Sequence, residues 1–237
     1  MSLMIKPILC RAGVMDNYAY VITDSATSKT AVIDASEASP IIKACDELNV
    51  VPEYILTTHH HFDHVGGNSE LKQKYGLQIV APAVEKDLIE GVDVALSDSD
   101  VFALGEIKFR VISAAGHTKG HVLYYAPEQK VLFTGDVLFN LCIGGLFEGT
   151  PRQMWDSLQK IKQLPDDVLF YAGHEYTKSC LSQMIRHNDS QSMQLYAKLA
   201  EERLAQGKPV SPMRLGLEKQ CNPYLLIDNF SDFENIF

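Results

Sequence analysis

Four of the eight histidines of this chain lie within residues 59–64, in the run His-His-His-Phe-Asp-His. Neutral imidazole nitrogens and carboxylate oxygens are ligands for zinc, iron or manganese, so the run predicts a metal site. Because alternate side chains of an extended segment share a face, His59 and His61 can bind one ion. Asp63 and His64 follow where the chain turns, and they suit a second ion. A histidine tag would be terminal and would not lie between a predicted strand and a Gly-Gly turn.

Three later segments share one pattern, in which a short apolar strand is followed by glycine and then by a residue that can bind a metal. They place His117 in Gly-His-Thr, Asp136 in Thr-Gly-Asp and His174 in Gly-His-Glu. Glycine allows the backbone to turn and to approach a crowded site. Each segment alone fits an ordinary turn, since Asp and Gly are typical turn residues. Their joint occurrence after the histidine run favours a single metal centre.

The elements that must position these residues alternate between strands and helices in the first three quarters of the chain. Hydrophobic periodicity predicts strands over residues 19–23, 31–34, 54–58 and 78–81, and helices over 40–48 and 68–75. Pro151 opens a further helix with an apolar stripe. After Tyr176 the pattern predicts no more strands, only helices over 178–187 and 192–206. The second of these helices is expected to turn three leucines inward, Leu195, Leu199 and Leu204.

Composition predicts a soluble enzyme and excludes some classes of partner. The 237 residues are 46% hydrophobic, enough for one full core, and the net charge of −9 argues against nucleic-acid binding. No apolar run reaches membrane-spanning length, and the start of the chain lacks the apolar region of a signal peptide. Five scattered cysteines without a Cys-x-x-Cys motif favour reduced thiols and a cytoplasmic setting.

The metal motifs, in this order, resemble those of the metallo-β-lactamase superfamily. Within that superfamily, residues 133–139, 147–150, 173–177, 215–218 and 222–225 are similar to glyoxalase II, the hydroxyacylglutathione hydrolases. The resemblance implies an α/β (α+β) fold, an αββα sandwich with a small C-terminal helical region. It also implies a catalytic domain over residues 1–176 and a helical region over 177–237 that covers the substrate.

The resemblance further implies which residues bind which ion. The first ion would be bound by His59, His61 and His117, and the second by Asp63, His64 and His174, with Asp136 bridging the two. Three histidines are left over. We interpret His121 as a core residue that orients a ligand, and we expect His60 to face away from the metals and His187 to lie in a polar helix.

The activity implied is hydrolysis of a hydroxyacyl thioester, with S-D-lactoylglutathione as the type substrate. Two divalent ions are expected, zinc first, with iron or manganese as alternatives. A hydroxide bridging the ions would attack the thioester carbonyl, whose oxygen one ion polarises. Asp63 would bind the second ion and also orient this hydroxide, which makes it the candidate catalytic residue.

The chain departs from the glyoxalase II pattern where glutathione would be bound. The usual lysine and tyrosine around the Glu-Gly-Thr stretch are Gly145 and Phe147, and the usual arginine near the C-terminus is Leu226. Tyr176 is present in its family position. Gly145, Phe147 and Tyr176 are therefore the candidate substrate contacts. Other basic residues could substitute, although a solvated surface role is favoured for each of them: Lys178, Arg186, Arg214 and Lys219.

Two other functions remain compatible with the sequence. The first is another enzyme on the same scaffold, a lactonase or a persulfide dioxygenase with a single iron. A single iron would leave Asp63, His64 and His174 without their metal. The second is a metal-binding protein without catalysis, which ranks last because no expected ligand is missing.

Overall fold

A computed structural model describes residues 2–11, 13–184 and 190–237 of the chain. Two mixed β-sheets pack face to face, and helices cover the outer face of each sheet. The predicted αββα sandwich is confirmed. Every predicted metal donor follows a strand or lies in a turn between two strands, so the sheets determine where the donors meet.

The first sheet has the strand order β1 to β6. Strands β1, β2 and β3 are antiparallel neighbours, whereas β3 to β6 run parallel and require helical crossovers. The strands are β1 (Leu3–Cys10), β2 (Asn17–Asp24), β3 (Thr30–Ile33), β4 (Tyr54–Leu56), β5 (Gln78–Pro82) and β6 (Val92–Leu96). The helices are α1 (Ala38–Leu48), α2 (Phe62–Val65) and α3 (Asn68–Tyr75), and a 3₁₀ turn spans Lys86–Leu88.

The second sheet has the order β14-β13-β10-β9-β8-β7. Its strands are β7 (Val101–Leu104), β8 (Ile107–Ser113), β9 (Val122–Ala126), β10 (Val131–Gly135), β13 (Leu169–Ala172) and β14 (Met213–Arg214). A separate hairpin of β11 (Leu138–Phe139) and β12 (Cys142–Ile143) follows β10 directly. Strand β10 pairs parallel with β13, so that the carboxyl ends of both strands lie at one edge of the sheet.

The hydrophobic core consists of three layers of buried side chains. The layer between the sheets is aromatic, with Tyr20 of β2 packed against Phe133 of β10 and Tyr171 of β13. A second layer lies between the first sheet and helices α1 and α3. The third and largest lies on the outer face of the second sheet and extends into the C-terminal helices.

Helix α4 (Pro151–Lys162) covers the second sheet and begins with a capping box. The side chain of Thr150 accepts a hydrogen bond from the backbone N–H of Gln153, whose own side chain accepts one from the backbone N–H of Thr150. The predicted apolar stripe is confirmed, since Met154, Trp155, Leu158 and Ile161 are all buried. Full burial of such a side chain contributes about 1.5–3 kcal/mol.

The segment after Tyr176 contains helices α5 (Thr177–Met184), α6 (Gln191–Ala205), α7 (Leu215–Cys221), α8 (Pro223–Leu226) and α9 (Phe230–Glu234). The expectation that strands end at Tyr176 is wrong, because the two-residue strand β14 pairs antiparallel with β13. So short a strand gives no readable alternation. Residues 185–189, and with them His187 and Arg186, lie outside the described residues.

The predicted inward face of α6 is also partly wrong. Leu195 is exposed, and Leu199 and Leu204 are only partly buried. The residues that α6 buries are Met193, Tyr196 and Ala200. The buried face of α6 is the one that contains Tyr196, because the hydroxyl of Tyr196 has hydrogen-bond partners inside the protein. Among the described residues, no helix is both long enough and apolar enough to cross a membrane.

Candidate metal centre

The histidine run begins three residues after the end of β4 and turns into the single-turn helix α2. Strand β4 is buried between β3 and β5, which fixes the start of the run. The run is followed by Gly66 and Gly67, and a Cβ on Gly67 would lie 2.8 Å from the backbone N of Ala38. The predicted Gly-Gly turn is therefore a close approach to the start of α1, which only glycine permits.

The structure brings together all seven residues that the sequence predicts as metal ligands. Their donor atoms form three overlapping groups, each with atoms within 4.8 Å of one another. The groups are His59, His61 and His117; His59, His64 and Asp136; and Asp63, His64 and His174. The donors follow β4, β10 and β13 or lie in the turn between β8 and β9, so both sheets contribute.

Asp136 occupies the middle of this arrangement. Its Oδ2 lies 3.4 Å from Nε2 of His117 and 3.1 Å from Nε2 of His174, and its Oδ1 lies 3.3 Å from Nε2 of His64. Asp136 thus reaches histidines of both predicted metal sites. Gly173 permits this position, because a Cβ there would lie 2.2 Å from Oδ1 of Asp136.

The residues fit divalent cations. Nε2 of His59 is buried without a hydrogen-bond partner, although imidazole nitrogens inside proteins are normally paired. Nε2 of His117 lies 2.9 Å from Nδ1 of His61, and Nε2 of His64 lies 3.3 Å from Nε2 of His174. Nitrogen lone pairs that converge in this way repel one another unless a proton or a cation lies between them. Imidazole and carboxylate donors in this number suit two ions of the zinc, iron or manganese type.

The outer nitrogens of these histidines are fixed by the protein. Nδ1 of His117 hydrogen-bonds to the carbonyl of Gly145 at 2.8 Å, and Nδ1 of His174 to the carbonyl of Met15 at 2.7 Å. A carbonyl only accepts, so both Nδ1 atoms carry the proton and both Nε2 atoms present a lone pair to the centre.

Asp34, at the end of β3, orients the histidine run. Its Oδ2 accepts a hydrogen bond from the hydroxyl of Thr58 at 2.8 Å and lies 3.0 Å from Nδ1 of His64. The Thr58 hydroxyl oxygen, in turn, lies 3.0 Å from Nδ1 of His59. One carboxylate therefore sets the ring orientation of two donors. The sequence predicts a strand that ends at Asp34 but indicates no role for this residue, although Asp136 also follows a predicted strand.

Glu85 is a second residue that the sequence analysis missed. Its buried carboxylate accepts hydrogen bonds from the backbone N–H of His60 at 2.7 Å and of Gly120 at 2.8 Å, and from the hydroxyl of Thr118. It also lies 2.9 Å from Nδ1 of His60. Glu85 thus joins the loop of His59 and His61 to the turn that contains His117. No motif surrounds Glu85 in the sequence, so no local pattern indicates this role.

Two of the three histidines outside the predicted ligand set, His60 and His121, lie beside the donors. His60 packs between two carboxylates, with Nε2 lying 3.0 Å from Oε1 of Glu148. His121 is fully buried, stacks on the ring of His59, and accepts a hydrogen bond at Nε2 from the backbone N–H of Asp136 at 3.0 Å. His121 thus lies in the core outside the groups of donor atoms, and its role in orienting a donor stays a prediction.

Burial and charge determine the protonation of the centre. Burial lowers the pKa of His59 well below its usual value, and it also lowers the pKa values of His61 and His117. Burial alone would raise the pKa of Asp136, but the nearby His64 and His174 lower it well below the usual range. His64 differs, because Asp136 and Asp34 raise its pKa well above the usual value against the effect of burial, so a cation would have to displace a proton from this ring.

A cavity of about 560 Å³ opens above the donors. Its floor includes His61, Asp63, His117, Asp136 and His174. Its wall is mostly apolar and consists of Met15, Phe62, Phe139, Cys142, Ile143, Gly144, Gly145, Phe147, Tyr176, Ser179 and Cys180. No lysine or arginine that the structure describes lines this cavity. The wall therefore offers packing and backbone contacts rather than ion pairs.

The three predicted substrate contacts all belong to this wall. The ring of Tyr176 stacks on His174 with centroids 4.8 Å apart, and burial raises the pKa of Tyr176 to about 12, so its hydroxyl stays protonated. The ring of Phe147 is 73% exposed and meets His61 and His117 edge-on. Gly145 lies beside Phe147.

Of the basic residues considered as substitutes, those that the structure describes do not line this cavity. Lys178 lines two neighbouring surface clefts. Lys219 pairs with Asp166, and Arg214 is an exposed residue of β14. Leu226, at the position where the resemblance predicts an arginine, does not line the cavity either.

Comparison with known proteins gives the family. A sequence model of the metallo-beta-lactamase superfamily matches residues 12–174. The hydroxyacylglutathione hydrolase of Pelagibacter ubique is 41% identical over 225 residues, which cover 93% of this chain and 94% of that protein. The hydroxyacylglutathione hydrolase of Rhodopseudomonas palustris is 44% identical over 214 residues, covering 90% and 84%.

A solved structure agrees on the fold. The protein TTHA1623, crystallised in a di-iron-bound form, superimposes with a TM-score of 0.69 at 23% identity, covering 93% of this chain and all of that one. With the sequence matches along nearly the whole chain, the chain belongs to the metallo-beta-lactamase superfamily and, within it, to the family of the hydroxyacylglutathione hydrolases.

Proposed function

We propose that this protein is a metal-dependent hydrolase of hydroxyacyl thioesters, with S-D-lactoylglutathione or a close relative as substrate. One observation carries the proposal: seven donors from four segments meet, and five of them form the floor of an open cavity. The family supports the reaction class, because the two relatives named above are hydroxyacylglutathione hydrolases and the similarity covers most of the length of each.

In this proposal His59, His61 and His117 hold one divalent cation, while Asp63, His64 and His174 hold the other. Asp136 would be a donor in both sites, because its carboxylate oxygens lie close to nitrogens of His64, His117 and His174. We propose zinc as the metal, and iron or manganese would fit the same donors. When bound, two such cations lower the pKa of water towards neutrality and polarise a carbonyl oxygen.

Asp63 is the proposed catalytic residue. Its Oδ2 lies 3.4 Å from Nε2 of His174 and accepts a hydrogen bond from Nδ2 of Asn17 at 2.9 Å. Asn17 thereby fixes the carboxylate at the floor of the cavity, where Asp63 would orient the attacking water through one of its protons. The leaving group is a thiolate, which needs little protonation, so no acid is required on the opposite side.

The substrate would lie along the apolar wall, against Tyr176, Phe147 and Gly145. The protonated hydroxyl of Tyr176 would donate a hydrogen bond to the substrate. Phe147 would cover the acyl group near His61 and His117. The division into a catalytic part over residues 1–176 and a covering part over 177–237 is retained as part of the proposal. The cytoplasmic setting expected from the cysteines also stays a prediction.

A second candidate substrate is suggested by the absence of cationic residues from the described cavity wall. Glutathione carries two carboxylates, which charged side chains bind best. A thioester of a less anionic thiol would fit the same wall without ion pairs. The chemistry at the metal centre would be the same, and only the carrier would differ.

The test is steady-state hydrolysis of S-D-lactoylglutathione by metal-replete protein, with metals counted on the same sample. Efficient turnover with about two metals per chain is the expected result. Two bound metals without turnover on this substrate would overturn glutathione as the carrier and favour the second candidate. One bound metal would overturn the two-ion assignment itself.

A further inference from the structure

Two cysteines face each other in the wall of the cavity. Cys142 lies in β12 and Cys180 in α5, and their Sγ atoms are 2.8 Å apart although the residues are 38 positions apart in the chain. Both residues are only partly buried, and both line the cavity. The other three cysteines, Cys10, Cys45 and Cys221, are buried and do not line it.

We propose that Cys142 and Cys180 are a redox-active dithiol that forms a disulfide by exchange with a low-molecular-weight disulfide. This inference stands on the two thiols and the cavity alone, whatever the substrate of the metal centre. Neither cysteine belongs to the groups of metal donors. A small disulfide that enters the cavity meets both sulfur atoms, whereas the three buried cysteines are out of its reach.

The hydrogen bond between the thiols distinguishes their roles. It lowers the pKa of the Cys180 thiol, against the opposing effect of burial, whereas the same hydrogen bond and burial raise the pKa of Cys142. A thiolate is the attacking species in thiol–disulfide exchange. Cys180 is therefore the attacking residue, and Cys142 resolves the mixed disulfide.

The exchange balances without any other reactant. The Cys180 sulfur attacks one sulfur of the small disulfide RSSR, so that a mixed disulfide forms and one RS⁻ leaves and takes up the thiol proton as RSH. The Cys142 sulfur then attacks the Cys180 sulfur, and the second RS⁻ leaves and takes up the other thiol proton. Two protein thiols are oxidised, and one RSSR is reduced to two RSH.

The disulfide would connect two segments that carry metal donors. The hairpin of Cys142 begins two residues after Asp136, and the helix of Cys180 begins three residues after His174. A covalent link between these segments removes conformational freedom mainly from the unfolded chain, so the oxidised protein should melt at a higher temperature. The metal content should stay the same, because neither thiol is a donor in the centre.

The experiment uses full-length, metal-loaded, reduced protein and glutathione disulfide as the probe. After incubation, intact-mass measurement should show the loss of two hydrogen atoms, and peptide mapping should identify a link between Cys142 and Cys180. The melting temperature should rise and should return to its first value after treatment with a thiol reductant.

Two variants test the assigned roles. Cys142→Ser should accumulate a stable mixed disulfide, one glutathione on Cys180, because the resolving thiol is absent. Cys180→Ser should react much more slowly than either the wild type or Cys142→Ser. Cys221→Ser is the matched control from the same half of the molecule and should form the disulfide like the wild type. A wild-type protein that keeps both thiols free, or that stops at a stable mixed disulfide, would overturn the proposal.

Discussion

The floor and the wall of the cavity are built in opposite ways. On the floor, the donors come from loops fixed by buried carboxylates and carbonyls, as His117 is fixed by Gly145 and His64 by Asp34. The wall is apolar and partly exposed, and it includes Gly145 and Phe147, where the resemblance to glyoxalase II led us to expect a lysine and a tyrosine. The floor is therefore fixed by directional hydrogen bonds, whereas the wall offers mainly packing contacts.

The largest effect should come from a change in the floor itself. Asp136→Ala removes the carboxylate that contacts histidines of both sites. Loss of a residue that only supports a metal ligand lowers metal affinity or activity by about 10–100-fold. Loss of the Asp136 carboxylate, a donor itself, should therefore lower kcat/KM by at least about 100-fold. Metal content per chain should fall as well, as measured by elemental analysis.

Asp156→Ala is the control for this prediction, because Asp156 is an exposed carboxylate on α4 that pairs only loosely with Arg152. It should keep both metals and full activity. If Asp136→Ala also kept its metals, the floor would not depend on a bridging carboxylate, and the contrast with the wall would lose its main support.

The next effect concerns the support of the wall by the C-terminal helices. Glu218 is fully buried and accepts hydrogen bonds from the backbone N–H of Leu141 and from the side chains of Tyr196 and Asn222. Burial raises the pKa of Glu218 to about 7, from 4.5. The pKa of Glu218 is higher in the folded state than in the unfolded state, so the folded protein favours the protonated carboxyl. Its contribution to the free energy of unfolding is complete below the unfolded pKa and is lost as the pH rises to about 7.

Glu218→Gln should therefore remove a pH dependence. Between about pH 4.5 and 8, the free energy of unfolding of the wild type should fall by about 3 kcal/mol relative to the variant. Urea unfolding at several pH values measures this difference, and comparison at each pH cancels the effect of metal loss. Parallel curves for the two proteins would show that Glu218 is already ionised in the fold.

A change in the support of the floor should have a moderate effect. Glu85→Gln weakens the acceptor that joins the loop of His59 and His61 to the turn of His117. The affinity for one of the two metals should fall by about 10–100-fold, while the other metal stays bound. Titration of metal-free protein with zinc, followed by calorimetry, separates the two binding steps.

Glu148→Gln is the matched control, since Glu148 also pairs with His60 but is partly exposed and makes fewer contacts with the turn of His117. It should change zinc affinity much less than Glu85→Gln. Equal losses in the two variants would mean that His60, rather than the link between the two loops, supports the floor.

The candidate donors that converge in the structure could be identified from the sequence because their signals are local. Each donor lies in a segment that follows a strand or in a short turn between strands, and both strands and glycines are readable from a few neighbouring residues. The supports of the donors were not predictable in the same way. Glu85 acts on residues 25 and 35 positions away, a relation that exists only in the folded chain.

The C-terminal part was predicted less well for a related reason. The leucines of α6 suggested an inward face that the structure assigns instead to Met193, Tyr196 and Ala200. Tyr196 is buried because Asn140 and Glu218, from distant segments, bond to its hydroxyl. Hydrophobic periodicity contains no information about such partners.

The smallest effect should come from the wall. Gly145→Lys restores a positive charge of the family pattern, and a Cβ at this position makes only ordinary contacts with the ring of Phe147. An exposed ion pair contributes about 0.2–1 kcal/mol, so KM for S-D-lactoylglutathione should fall by a few-fold with kcat unchanged. Gly145→Gln controls for side-chain length without charge. A large change in kcat instead would mean that wall and floor are not independent.

The seven donors are spread over residues 59–174 and over both sheets. A nascent chain that has not yet reached residue 174 cannot present the complete set, and the set converges only after the two sheets have packed. Binding of both proposed cations would therefore be a late event of biosynthesis, after the two sheets have packed. In a cell, metal supply would decide how much newly made protein becomes competent, independently of how much is translated.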